Sequence, residues 1–125
     1  MVEMTRWQFV AGGVGALAVV LLRPRAAVAQ RTSAGPADPK LIDDLVAGNH
    51  ILVDQGVLDG YGHVSARHDR DPNRFLMSRS LAPELVTAAD IMEYDLDAEA
   101  IDPRGRSSYL ERFIHGEIYR ARPDV

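Results

Sequence analysis

The sequence predicts an α/β fold, because two stretches with helical spacing enclose three segments that resemble strands. Apolar residues recur at helical spacing over residues 39–55, and a second helix is predicted over residues 109–121. Alternating apolar and polar residues predict strands at 63–67, 74–78 and 91–96. This order of helix, strands and helix predicts an α/β sandwich whose sheet is incomplete within the chain.

Turn and cap residues support these boundaries. Pro39 suits the first turn of the first helix, and Gly56 supplies its stop. The turn-forming residues at 69–73 predict a hairpin between the first two strands. Thr87, followed three residues later by Asp90, resembles a capping box that opens a helical turn.

The predicted second helix has a clear apolar stripe. It is ended by Arg122 and Pro123, because the residue before a proline is disfavoured in helical geometry. A second hairpin is predicted through residues 97–101. The stripe comprises Leu110, Phe113, Ile114 and Ile118.

Composition excludes several classes of protein. With 46% hydrophobic and 26% charged residues, the 125-residue chain is compatible with one small globular domain and not with disorder. The formal net charge is −4, and the sequence contains no block of basic residues. A nucleic-acid partner is therefore not expected. The chain has no cysteine, which excludes disulfides, thiolate metal sites and a cysteine nucleophile.

Residues 1–29 predict an export signal. Arg6 precedes an apolar run over residues 9–22, and Ala27-Val28-Ala29 matches the small-x-small pattern of a cleavage site. The run has about 14 residues against the roughly 20 that span a bilayer, so no stable membrane anchor is expected. The sequence therefore predicts a protein exported to the periplasm.

The sequence also indicates an export route and the start of the folded domain. Residues 5–9 resemble a twin-arginine motif in which Trp7 stands at the second arginine position, and a general secretory signal is the alternative. The N-terminal run could instead be a core helix of the domain. Residues 30–38 predict a polar linker, and residues 39–125 the folded domain.

The histidines do not form a self-contained metal site by spacing. His63 and His68 are five positions apart, and no His-x-His or His-Glu-x-x-His pattern occurs. His50 is predicted to be a hydrogen-bonded packing residue. Glu111 and His115 are four apart on a predicted helix, so they lie on one face. They could share a proton or a metal environment, or form an ordinary helical pair, and spacing leaves both open.

Four segments occur in a family order. They are Gly-His-Val-Ser-Ala-Arg at 62–67, Phe-Leu-Met-Ser at 75–78, Leu-Val-Thr-Ala-Ala-Asp-Ile at 85–91 and the stretch 111–125. In this order the chain resembles the class II aldolase/adducin family over residues 40–125. The resemblance implies a class II aldolase-like α/β/α sandwich with a mainly antiparallel central sheet, incomplete in this chain.

The same resemblance implies a chemistry. Glu111 stands where the family has an acid or base that acts near a divalent metal, zinc or manganese, with His115 four residues later. In the family the metal-binding histidines follow an Arg-Pro-Asp segment, here residues 122–124. They would fall beyond Val125, so no metal ligand is assigned in this chain, and the chain alone is expected to be inactive.

Departures from the family's sugar-phosphate members indicate the substrate. His63 stands in place of an Asn, and the segment that begins with Arg79 replaces a Thr-Gly phosphate loop. Ser107-Ser108 are set back from Glu111 by two residues. The chain is more similar to a decarboxylase-like branch of the family. The expected substrate is a small carboxylate without a phosphate.

Four residues are expected to bind that substrate. Arg79 would hold a carboxylate through charge-assisted hydrogen bonds, and His63 would donate a hydrogen bond to it. Ser65 and His115 complete the expected set. The alternatives are a surface arginine at position 79 and a turn histidine at position 63 that bonds only to backbone.

The expected function is a metal-dependent carbon-carbon lyase that performs aldol cleavage or decarboxylation. In this chemistry Glu111 moves a proton at the reacting carbon. The alternatives are a non-catalytic adducin-like assembly protein and an inactive gene fragment. A complete protein of this kind is expected to be a homo-oligomer.

Overall fold

The computed structural model describes residues 31–125, which contain two helices and a three-stranded antiparallel sheet. Two short 3₁₀ turns stand between the second and third strands. This architecture confirms the predicted α/β class and antiparallel sheet. The elements are α1 (Pro39–Asp54), β1 (Ser65–Arg67), β2 (Arg74–Ser78), the turns Pro83–Leu85 and Ala88–Asp90, β3 (Ile91–Asp95) and α2 (Arg112–Ala121).

Only those N-terminal predictions that concern residue 31 onwards can be compared with the structure. The predicted export signal, residues 1–29, lies outside the described residues, and so does the core-helix alternative. Residues 31–38 of the predicted linker form no helix or strand, but they are attached to the domain. The backbone N–H of Ala34 donates to the Glu93 carboxylate at 2.8 Å. Within 31–125, no helix is both long and apolar enough to cross a membrane.

Local signals explain α1. Its N-cap, Asp38, accepts a hydrogen bond from the backbone N–H of Lys40, and Pro39 occupies the first turn. The helix ends as predicted beside Gly56, whose φ of +67° lies in the left-handed region that favours glycine.

The main cluster of buried apolar side chains lies on one face of the sheet. Phe75 pairs with Tyr94 and Met77 with Met92 across β2 and β3, and all four side chains are almost fully buried. Tyr119 of α2 packs against the same face. Because side chains alternate along a strand, these pairs form one continuous apolar surface.

The first strand brings polar groups to that face. Ser65 pairs with Met77 and Arg67 with Phe75, so both polar side chains share the face that α2 covers. The guanidinium of Arg67 lies 4.7 Å from the centre of the Tyr119 ring and donates to the Tyr119 carbonyl oxygen at 2.9 Å. Arg67 therefore holds α2 against the sheet.

The second helix begins later than predicted. It starts at Arg112, three residues after the predicted position 109. Tyr109 is buried and its hydroxyl hydrogen bonds to both the backbone N–H and the carbonyl oxygen of Leu81, so the chain before α2 is held in a loop. The predicted hairpin at 97–101 is reduced to a single bridge between Tyr94 and Ala100.

The apolar stripe of the second helix does not face the core. An apolar stripe commonly packs inward, but here the inward face carries His115, Gly116 and Tyr119. Gly116 allows this orientation, since a Cβ there would lie 2.7 Å from the carbonyl oxygen of Leu96. The stripe residues are exposed: Leu110 by 80%, Phe113 by 47%, Ile114 by 59% and Ile118 by 44%.

Candidate active site

Glu111 is exposed at the start of α2 and borders a cleft of about 310 Å³. Its backbone occupies the N-cap position, so its side chain stands at the positive end of the helix dipole. Four hydroxyl-bearing residues, two tyrosines and two serines, share the cleft. The lining comprises Gly60, Tyr61, Ser80, Leu81, Ala82, Ser108, Tyr109, Leu110 and Glu111.

The walls of this cleft are held by hydrogen bonds. The backbone N–H of Ser80 donates to the carbonyl oxygen of Ser107 at 2.8 Å. The hydroxyl of Tyr94 donates to the hydroxyl oxygen of Ser108 at 2.9 Å. Together with the Tyr109 contacts to Leu81, these bonds fix the two walls relative to each other.

Beside the cleft, four polar side chains form a hydrogen-bonded cluster. Ser65 Oγ lies 2.6 Å from His115 Nδ1 and 2.8 Å from the hydroxyl of Tyr119. His115 Nε2 lies 2.8 Å from His63 Nδ1. The His63 ring contacts the ring of Tyr109, with centroids 5.0 Å apart. Tyr109 therefore contacts the cluster and also lines the cleft.

Burial governs the electrostatics of the cluster. Burial, and secondarily the neighbouring His63, lower the pKa of His115 to about 4. Burial also raises the pKa of Tyr119, although the hydrogen bond to Ser65 and the charge of Arg67 oppose this shift. Near neutral pH, His115 is therefore an uncharged imidazole and Tyr119 a protonated phenol.

We expect the pKa of His115 to make the fold acid-sensitive. In the unfolded chain the imidazole takes up a proton as the pH falls below about 6.5, whereas in the folded chain it stays neutral down to about 4. Acid therefore favours the unfolded chain between these pH values. The free energy of unfolding should fall by on the order of 1 kcal/mol from pH 7 to pH 4.5, since partial exposure weakens the effect.

Urea unfolding at the two pH values measures this loss, and His115→Gln provides the comparison. The variant has no ring to protonate, so its stability should fall less over the same range. An equal loss in both proteins would contradict the assignment of this acid sensitivity to His115.

The structure does not join Glu111 to His115 directly. Both ring nitrogens of His115 are within hydrogen-bonding distance of His63 and Ser65. Glu111 lies outside the helix proper, where it faces the cleft. Of the two possibilities left open by their spacing, a proton shared directly between Glu111 and His115 is not observed.

Arg79 lies immediately after β2, outside the set of cleft-lining residues. Its Nε donates to the carboxylate of Asp90 at 2.6 Å. Asp90 also accepts from the backbone N–H of Thr87 at 2.9 Å, as the predicted capping box requires, and from the Thr87 hydroxyl at 2.7 Å. The hydrogen bond from Thr87 is the main cause that lowers the pKa of Asp90, with Arg79 contributing. Substrate binding by Arg79 stays a prediction, and its charge is already offset by Asp90.

The remaining histidines bond to backbone. His50 Nε2 lies 2.9 Å from the carbonyl oxygen of Val86, which confirms the predicted structural role. His68 is buried, with Nδ1 accepting from the backbone N–H of Arg70 and Nε2 contacting the carbonyl oxygen of Gly35. Neither residue reaches the cluster around His115.

The sequence interpretation missed Tyr119 and the anchoring role of Tyr109. A signal for Tyr119 exists, because it lies four residues after His115 and so on the same helix face. Tyr109 had no comparable signal, since its partner Leu81 is distant in sequence.

The described residues do not fit a divalent metal site by themselves. Across 31–125, no group of three or more histidine, aspartate or glutamate side chains lies close enough to hold a metal ion. The paired nitrogens of His63 and His115 hydrogen bond to each other instead.

Comparison with known proteins gives the family. Residues 43–125 match the Class II Aldolase and Adducin N-terminal domain. The chain is 45% identical over 82 residues to decarboxylase tropJ from Talaromyces stipitatus, a match that covers 64% of this chain and 31% of that protein. The chain therefore belongs to the class II aldolase and adducin family.

Two solved structures share the fold. An aldolase II superfamily protein from Pseudomonas syringae matches with a TM-score of 0.64 and 26% identity, over 76% of this chain and 39% of that one. L-fuculose 1-phosphate aldolase from Glaciozyma antarctica matches with a TM-score of 0.60 and 24% identity, over 71% of this chain and 41% of that one. The chain thus spans about a third to two-fifths of the length of these relatives.

Proposed function

We propose that this chain forms part of a carbon-carbon lyase that releases a carboxylate group from a small, non-phosphorylated substrate. Its family and its similarity to a protein named as a decarboxylase support an aldolase-type lyase. The observation that carries the proposal is the position of Glu111, exposed in a cleft beside the hydroxyls of Ser80 and Ser108.

In this proposal Glu111 handles the proton. When the bond between the substrate carbon and its carboxylate breaks, carbon dioxide leaves and the electron pair remains on the carbon. The carboxylic acid form of Glu111 donates its proton to that carbon and becomes a carboxylate, which solvent in the open cleft protonates again. The exposed position of Glu111 suits this exchange.

Orientation of the substrate is assigned to the neighbouring groups. The hydroxyls of Ser80 and Ser108 can donate hydrogen bonds to carboxylate oxygens, and His63 stands next to the cleft against Tyr109. None of these side chains is permanently charged, so they would orient a carboxylate without holding it by a fixed ion pair.

The expected zinc or manganese ion remains part of the proposal only as a family property. Because residues 31–125 contain no group of three or more candidate ligands, such a metal would need ligands from outside them. Export to the periplasm and homo-oligomer formation likewise stay predictions.

A substrate panel tests the proposed function. The natural protein, supplied with zinc or manganese, would be given aromatic and pyridine carboxylates and, separately, sugar phosphates. We expect carbon dioxide release from at least one carboxylate and no cleavage of the phosphates. Cleavage of a sugar phosphate alone would instead establish an aldolase, and inactivity towards both classes in a folded, metal-loaded protein would favour a binding or assembly role.

A further inference from the structure

The cluster of Tyr119, Ser65, His115 and His63 contains three successive hydrogen bonds, and each needs one donor and one acceptor. Distances between heavy atoms do not show which atom carries the proton. However, each neutral group has a limited number of protons, so fixing the donor at one end determines all the others.

Burial of Tyr119 determines which atom donates in its hydrogen bond with Ser65. Tyr119 is only 6% exposed, and within residues 31–125 its hydroxyl has a single hydrogen-bond partner, Ser65 Oγ. If Ser65 were the donor, the phenol proton would have no acceptor in the described part of the chain. A buried donor without a partner carries a clear energetic cost. Tyr119 therefore donates to Ser65.

Arg67 strengthens this direction. Its guanidinium lies over the Tyr119 ring, 4.7 Å from the centroid. A positive charge at that position stabilises electron density on the phenol and makes its hydroxyl a better donor. Phenols are also stronger acids than the alcohol of a serine, which favours the same direction.

The remaining assignments follow in sequence. Ser65 has one proton, and since its oxygen accepts from Tyr119, that proton is donated to His115 Nδ1. A neutral His115 then carries its own proton on Nε2 and donates it to His63 Nδ1. With Nδ1 acting as an acceptor, His63 carries its ring proton on Nε2.

We propose that Tyr119, Ser65 and His115 form a directional hydrogen-bond chain that fixes His63 as the tautomer with its proton on Nε2, and so presents an N–H donor to a ligand carboxylate. Tyr119, Ser65 and His115 are then positioning residues, and His63 is the group that contacts the ligand. The nature of the ligand rests on the proposed function, but the direction of the chain does not.

The position of His63 supports this use of its Nε2 atom. Among residues 31–125, Nε2 has no protein hydrogen-bond partner, while Nδ1 is engaged by His115. The His63 ring also packs against Tyr109, which lines the cleft of Glu111. A donor at this position would complement a carboxylate and would leave a ligand hydroxyl or carbonyl less strongly bound.

Nitrogen-15 NMR of the histidine rings tests the direction of the chain without any substrate. At pH 7 the proton shared by the two rings should show one-bond coupling to His115 Nε2 and a weaker coupling across the hydrogen bond to His63 Nδ1. A shared proton bonded to His63 Nδ1 would overturn the proposal in the unmodified protein, whatever the variants show.

Tyr119→Phe removes the first donor with little change in shape. The fraction of molecules with the shared proton on His63 Nδ1 should then rise severalfold, since Ser65 is free to accept from His115. Tyr94→Phe is the matched control, because it removes another buried tyrosine hydroxyl outside the chain. Equal proton positions in Tyr119→Phe and the unmodified protein would overturn the role of Tyr119.

Ser65→Ala provides a second variant if Tyr119→Phe does not fold. It removes the central link, so the fixed direction should be lost in the same way. If no carboxylate in the substrate panel is cleaved but the NMR result is as expected, the proposed carboxylate ligand is wrong and the direction of the hydrogen-bond chain still holds. If the protein is an active lyase but the hydrogen bonds run in the opposite direction, the positioning role of Tyr119, Ser65 and His115 is wrong and the proposed function still holds.

Discussion

Replacing Glu111 with Gln is expected to lower the turnover of the natural, metal-loaded protein by about 10²–10⁴-fold, the usual effect of removing a general acid or base. Glutamine keeps the size and polarity of the side chain but cannot release a proton. Because Glu111 is exposed at the N-cap of α2 and is not part of the core, the fold should be unchanged. Steady-state kinetics and circular dichroism together measure both expectations.

Glu117→Gln is the control for this substitution. Glu117 is on the same helix and its side chain is 69% exposed, but it contacts Arg120 and does not line the cleft of Glu111. Its turnover should stay close to that of the unmodified protein. Full activity in Glu111→Gln would show that another group moves the proton.

Gly116→Ala is expected to destabilise the fold by about 1–2 kcal/mol. Alanine normally stabilises a helix by about 1 kcal/mol relative to glycine. At this position the added Cβ would lie 2.7 Å from the carbonyl oxygen of Leu96, a backbone atom that cannot move aside as a flexible side chain would. Overpacking of this kind costs about 1–3 kcal/mol and exceeds the helical gain in most of that range.

Gly48→Ala is the matched control in α1. A Cβ at Gly48 meets no atom within 4 Å, so only the gain in helix propensity should remain, about 0.5–1 kcal/mol of added stability. Chemical denaturation of both variants compares the two helices directly. Stabilisation by Gly116→Ala would mean that α2 does not approach Leu96 as closely as the structure shows.

Several features predicted from local signals are confirmed by the structure. The proline and glycine at the ends of α1, the turn residues between β1 and β2, and the capping box at Thr87 act over a few residues, so the sequence displays them directly. The start of α2 depends instead on Tyr109 and its distant partner Leu81. The direction of its apolar stripe depends on the contact between Gly116 and Leu96.

The same distinction applies to the site. The family resemblance directed attention to Glu111, His63, Ser65 and His115, and the last three meet in one cluster. Helical spacing suggested a direct pair of Glu111 and His115, but the partners of His115 come from a segment about 50 residues earlier in the chain. Such contacts are created by folding and leave no local pattern.

The structure of the natural protein with a bound pyridine or benzene carboxylate would show whether Glu111 and His63 contact the substrate. We expect a ligand in the cleft beside Ser80 and Ser108, with its carboxylate within about 3.2 Å of His63 Nε2 and the reacting carbon next to Glu111. A bound carboxylate that contacts neither Glu111 nor His63 would contradict this expectation.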